Sequence, residues 1–142
     1  MNFKIDKFHR LQGYVKNKSF GPYSLPVKYQ NQILKNYCEE NNKIYSLPQA
    51  EPVFSINFIQ LKSLILDLDS EQGVVMISIF MLPASRNIRK IIYKMILKKR
   101  TQIHFVFENI VISNKESFLE VENSFKYLEF TKNSQKIFNF IR

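Results

Sequence analysis

The run Val74-Val75-Met76-Ile77-Ser78-Ile79-Phe80 is apolar on both alternations, broken only by Ser78. A strand that offers apolar side chains to both of its faces has to be covered on both. That condition is met in the middle of a parallel sheet flanked by helices. The remaining sequence supplies such cover. Leu11 to Val15 reads as a first strand, and Gly21-Pro22 marks the loop that follows. Pro26 suits the first turn of a helix, where its missing N–H costs nothing. Val27, Ile33, Leu34, Tyr37 and Cys38 continue at helical spacing toward Asn41. Lys43 to Leu47 reads as a second strand stopped by Pro48. Ser55 then reads as the cap of a second helix carrying Ile56, Ile59, Leu64, Ile65 and Leu68.

After the buried run, Pro83 and Ser85 open a third helix with Ile88, Ile91, Ile92, Met95 and Ile96 on its inner face. Its charge is all positive, from Arg86, Arg89 and Lys90 through Lys94 and Lys98 to Lys99 and Arg100. Ile103 to Phe107 reads as a fourth strand. Ser113 with Glu116 makes a capping-box pattern before a helix carrying Phe118, Val121, Phe125 and Leu128. Thr131 to Arg142 reads as a last short helix. Strands and helices in this alternation imply right-handed crossovers. The expected fold is α/β: a three-layer open sheet of about four parallel strands with helices on both faces, plus C-terminal helices. One domain is expected, with residues 1–10 a leader, 11–113 the sheet core and 114–142 a helical extension.

Composition narrows the class. Apolar residues make up 45% of the 142 residues and aromatics 14%, enough for a packed core. Met1 to Lys7 lacks the apolar stretch of a secretory signal, and no apolar run approaches the roughly 20 residues of a membrane span. Cys38 is the single cysteine, so an internal disulfide or a cysteine-based zinc site is excluded. These features together suggest a reducing cytoplasm. The net charge of +9 fits an anionic partner, and equally a lysine-, asparagine- and isoleucine-rich composition.

In sheets of this kind ligands sit beyond the carboxyl ends of the strands. The segments of interest are therefore Lys16 to Ser24, Pro48 to Glu51, Met81 to Arg89, and Glu108 with Asn109. Ser19, beside Lys18, reads as a nucleophile or as an ordinary loop serine. Gln30 and Asn31, early in the first helix, are placed to hydrogen-bond a sugar hydroxyl or a phosphate, or else to face water. Glu51 and Glu108 both follow strands, so they read as an acid–base pair or as ion-pair partners of Arg86 and Lys18. Arg86 at the start of the third helix can clamp a phosphate or carboxylate. His9 and His104 have no cysteine or carboxylate at ligand spacing, so neither a metal nor a cofactor is expected. His104 reads as a buried imidazole within its strand, and Cys38 as a core residue.

Gly13-Tyr14, Ser19-Phe20-Gly21, Leu25-Pro26, Gln30-Asn31 and Tyr37-Cys38 resemble the opening of the sporadic carbohydrate cluster protein family. Glu51, Ser78 to Pro83, and His104 to Glu108 continue the likeness, which spans roughly Gly13 to Asn114. The resemblance implies a role in bacterial surface-polysaccharide biosynthesis and a sugar phosphate or nucleotide sugar as partner. It implies no established chemistry. The chain departs from the family with Lys18 and Lys35 where arginines are expected, replacing a bidentate grip by a point charge. A second resemblance is to the catalytic domain of serine recombinases, and it suggests a resolvase- or flavodoxin-like sheet. It would put Ser19 in the nucleophile's place and Arg86 among its arginine partners. That family's Leu-Asp-Arg-Leu element is absent, Phe80-Met81-Leu82-Pro83 standing there instead. Nucleic-acid binding through the basic third helix and a protein-docking or self-associating role for Phe118, Phe125, Phe130 and Phe138 are the rival expectations.

Overall fold

The computed structural model describes residues 9–51 and 58–141. Among these, β1 (Arg10–Lys16), β2 (Ile44–Glu51), β3 (Gln72–Met76), β4 (Ile103–Phe105) and β5 (Ile110–Ile112) form one sheet in the order β2-β1-β3-β4-β5. The first four strands run parallel, and β5 returns antiparallel to β4. The helices are α1 (Val27–Glu40), α2 (Ile59–Asp67), α3 (Arg86–Lys99) and α4 (Lys115–Ile141). The crossover from β1 to β2 runs one way along the sheet, and those from β2 to β3 and β3 to β4 run the other way. With right-handed connections, α1 covers one face while α2 and α3 cover the other. The three-layer α/β architecture expected from the sequence is therefore present.

Several boundaries differ from those expected, each for a physical reason. The buried run leaves the sheet after Met76: Ser78 accepts a hydrogen bond from the Phe80 N–H, and Ile79–Met81 forms a single 3-10 turn. The run is apolar on both alternations because Ile77, Ile79 and Met81 are buried beneath the rim, although they are not in a strand. The second strand passes through Pro48 to Glu51. It lies at the sheet edge, where a missing N–H is tolerated, and its register steps between Gln12↔Ser46 and Tyr14↔Gln49. Gly13 alone thus opposes Leu47 and Pro48 in a bulge.

The expected fourth strand ends at Phe105. Residues 106–109 turn, with Asn109 in the left-handed region at φ 54°, and the chain returns as β5. The helix after it starts one residue later than the capping-box pattern implied. The Asn114 Oδ1 accepts from the Ser117 N–H at 2.9 Å, while the Ser117 Oγ accepts from the Asn114 N–H at 3.1 Å. No break separates a final short helix, since α4 is continuous through Ile141. Arg10 belongs to β1, not to a leader, and Ser55 and Ile56 lie outside the described residues.

Candidate functional site at the carboxyl rim

The loop after β1 is built around Gln30. This side chain is fully buried, and its amide is committed to backbone: Oε1 accepts from the Lys16 N–H at 3.1 Å, while Nε2 donates to the carbonyls of Lys16 and Leu25, each at 2.7 Å. A helix residue thereby stitches the end of β1 to the chain entering α1. Phe20 and Tyr23 then close the loop through a pair of backbone hydrogen bonds of 3.0 Å. Gly21 sits between them at φ +57°, where a Cβ would lie 2.5 Å from the Phe80 ring. Only glycine fits both the dihedral and the space.

Glu108 does the same for the turn after β3. Its carboxylate accepts from the Ser78 hydroxyl at 2.8 Å and from the Ile79 N–H at 2.7 Å. The two turns are tied together by rings: Tyr23 packs edge-on to Phe107 at 5.0 Å and tilted to Phe80 at 6.2 Å, and Phe80 meets Phe125 of α4 at 5.9 Å. The carboxyl rim is thus a fixed surface, roofed in part by aromatics.

Between this rim and α4 lies a cleft of about 590 Å³. Gly21, Phe80, Arg86, Glu122, Phe125 and Lys126 are among the residues lining it. Its charge is organised by Arg89, which is 5% exposed. The guanidinium grips Glu122 bidentately at 2.8 and 2.9 Å, donates to the carbonyls of Pro83 and Ala84, and lies 4.0 Å over the Phe125 ring. Tyr93 adds a third hydrogen bond to Glu122 at 2.9 Å and stacks on Phe118 at 4.4 Å. Burial works against the Glu122 charge, yet the hydrogen bonds from Arg89 and Tyr93 and the charges of Arg89 and Arg86 hold its carboxyl below the usual range. Burial, with the adjacent Glu122, pushes the Tyr93 phenol well up. Since Arg89 neutralises Glu122, Arg86 is only loosely held at 3.7 Å and its side chain is 61% exposed. Arg86 and the exposed Lys126 remain as cations in the cleft, opposed by Glu129.

The residues singled out from sequence separate into groups. Lys18 and Ser19 are exposed on the loop held by Gln30, and Arg86 opens α3 in the cleft. Gln30 and Glu108 belong to the same rim: Gln30 is buried and holds backbone, while the half-buried Glu108 carboxylate holds the Ser78 hydroxyl and the Ile79 N–H. Asn31 faces elsewhere. It accepts from the Tyr45 hydroxyl at 2.8 Å beside β2, in a shallow depression shared with Lys35 and Leu47. Tyr45 reaches it by crossing the space that a side chain at Gly13 would fill. Glu51 closes β2 opposite Lys16, and its side chain lies outside the described residues.

Two plain expectations fit their surroundings. His104 is buried and shares a 2.7 Å hydrogen bond with the Tyr37 hydroxyl. Cys38 is buried, and burial pushes its thiol up to about 11, so it is a protonated core residue at neutral pH. Phe118 is buried against Tyr93, while the half-buried Phe125 packs on Phe80 and Arg89 and lines the cleft. Phe130 and Phe138 lie outside the described side chains.

The Arg89–Glu122–Tyr93 network escaped the sequence reading, although its signal was present. Arg89 falls at helical spacing with Ile92, Tyr93 and Ile96, and Glu122 sits between Phe118 and Phe125 on the inner stripe of α4. A charge on each of two apolar stripes asks for its opposite.

The strand order, the antiparallel fifth strand and the long final helix define a mixed α/β domain built on a mostly parallel five-stranded sheet. Among solved structures, the chain is similar to the N-terminal catalytic domain of TP901-1 integrase, with a TM-score of 0.60 over 87% of this chain and 97% of that one. Sequence identity is 18%, so the likeness is one of fold alone. No family model matches the chain, and no curated protein matches it in sequence. Among the described residues, no helix is long and apolar enough to cross a membrane, and no cluster of three or more metal-ligating side chains occurs.

Proposed function

We propose that the chain binds a phosphorylated or nucleotide-linked sugar in the rim cleft, as a component of bacterial surface-polysaccharide biosynthesis. The observation that carries the binding half is electrostatic. Arg89 silences Glu122, which leaves Arg86 as an exposed guanidinium beside the aromatic walls of Phe80 and Phe125. A guanidinium can take a phosphate bidentately, and an aromatic wall suits the face of a sugar or base. Lys126 adds a second cation, and Lys18 and Ser19 stand on the adjoining loop. Gln30 and Glu108 position these groups. The pathway half rests on the resemblance of segments such as Gln30-Asn31 and Ser78 to Pro83 to the sporadic carbohydrate cluster family. Whether Ser19, Glu51 or Glu108 performs chemistry belongs to the same proposal, and Glu108 would first have to release the Ser78 turn.

The test is thermal stability of the full chain with inorganic phosphate, sugar 1-phosphates and nucleotide sugars. A ligand at about 100 times its Kd should raise unfolding free energy by roughly 2.7 kcal/mol, and Arg86→Ala should remove most of that gain. No shift with any of the three ligand classes would sink the binding claim. Unaltered surface polysaccharide in a strain carrying Arg86→Ala would sink the pathway claim.

A second reading is favoured by the fold likeness: a nucleic-acid-binding domain contacting phosphates through α3. Retention on duplex DNA that falls steeply with salt, and is weakened by Lys94→Ala with Lys98→Ala, supports it. Absence of retention at low salt removes it.

A further inference from the structure

The outer face of α2 and α3 mixes two kinds of side chain that rarely share an exposed surface. At 100° per residue, the side of α3 opposite its buried Arg89, Ile92, Tyr93 and Ile96 carries Asn87, Ile91, Lys94 and Lys98, with Lys90 and Leu97 at its flank. All six are exposed, Ile91 by 46% and Leu97 by 39%. Beside it, α2 buries Leu61 and Ile65 and turns Ser63 and Leu66 outward, Leu66 being 60% exposed. The two helices lie side by side on the same face of the sheet, joined where Lys99 donates to the Leu68 carbonyl at 2.9 Å. A 14-residue helix lying along that face presents a line of about 21 Å.

The charge on this face has one sign. Helix α3 contains no Asp or Glu along its whole length, and α2 has only Asp67, at its last position. The exposed acids Asp69 and Glu71 follow α2 in the chain, and Glu116 and Glu120 belong to α4. Lysines alone would describe a solvated surface or a phosphate track. Three aliphatic side chains set among them do not fit that description, because a polyanion in water gives them nothing to bury against.

We propose that this face docks on an anionic lipid bilayer. Lys90, Lys94 and Lys98 would meet acidic headgroups while their stems lie along the apolar surface. Leu66, Ile91 and Leu97 would enter the boundary between headgroups and acyl chains. The surface is separate from the rim cleft, so the proposal stands apart from ligand binding there.

Sedimentation with vesicles tests it on the full chain. Two compositions are needed: phosphatidylcholine alone, and phosphatidylcholine with one-third phosphatidylglycerol. The expected result is binding to the mixed vesicles and little to the neutral ones. Lys94→Ala with Lys98→Ala should weaken it by about tenfold or more, the loss shrinking at high salt. Ile91→Ser with Leu97→Ser should also weaken it by roughly tenfold while the variant still unfolds cooperatively, since both residues lie at the surface. Failure to bind the mixed vesicles overturns the proposal. So does binding that both lysine and aliphatic variants retain. Duplex DNA bound more tightly than the vesicles, with the Ile91→Ser and Leu97→Ser variant unaffected, overturns it in favour of nucleic acid.

Discussion

Gln30 illustrates how one side chain can be marked by sequence and still be assigned the wrong task by it. An amide near the start of a helix suggested a ligand contact, and position along the chain carried no sign that the helix would turn that face inward. In the fold, Gln30 bonds the Lys16 backbone with both halves of its amide. Gln30→Ala leaves one N–H and two carbonyls of the loop without this partner in a dry setting. The expected cost is about 3 kcal/mol in denaturant unfolding. Gln30→Glu should be no better, because a carboxylate can accept from the Lys16 N–H but cannot donate to the carbonyls of Lys16 and Leu25. A loss of under about 0.5 kcal/mol for both, typical of a surface site, would show that the clamp is not structural. Glu108 stands at the rim, each of its oxygens accepting one hydrogen bond, from the Ser78 hydroxyl and from the Ile79 N–H. Arg86 stands at the start of α3 in the cleft, its side chain 61% exposed.

At the scale of elements, the period-based signals held and the boundary signals did not. Helices α1 and α3 were legible because their apolar residues recur at three and four positions, with Ser85 accepting from the Ile88 N–H at the start of α3. The run from Val74 was legible as buried, but burial alone cannot tell a strand from a turn tucked beneath a rim. Strand β5 was missed because Ile110-Val111-Ile112 is short and follows a turn without glycine or proline, where Asn109 supplies the left-handed residue. The start of α4 offers a direct check. Sequence pattern favoured Ser113 as cap, whereas hydrogen bonds give the role to Asn114 with Ser117 as its reciprocal partner. Asn114→Ala should therefore lower stability by about 1 kcal/mol. Ser113→Ala should leave the melting temperature almost unchanged.

Across the whole molecule, the sheet is closed on one side by α1 and on the other by α2, α3 and α4, and the last of these is secured through ionised groups. Phe118 and Phe125 give α4 its apolar contact, but its orientation is set by Glu122 against Arg89 and Tyr93. This was the least legible part of the candidate site, because it joins residues 29 and 33 positions apart that no local pattern connects. It also makes docking of α4 depend on pH in a defined direction. The folded protein holds the Glu122 carboxyl below its ordinary value of 4.5, so folding favours the ionised form. The resulting stability is complete above that ordinary value and is lost as pH falls through the lower folded value. Glu122→Gln leaves Arg89 buried without its countercharge and should cost roughly 3–5 kcal/mol at neutral pH. As acid protonates Glu122 in the parent chain, the two proteins come to face the same uncompensated guanidinium, and the gap between their melting temperatures should close. No gap at neutral pH would mean that α4 is held without the Arg89–Glu122 pair, and a gap that stays constant into the acid range would mean that the ionised carboxylate is not what holds it.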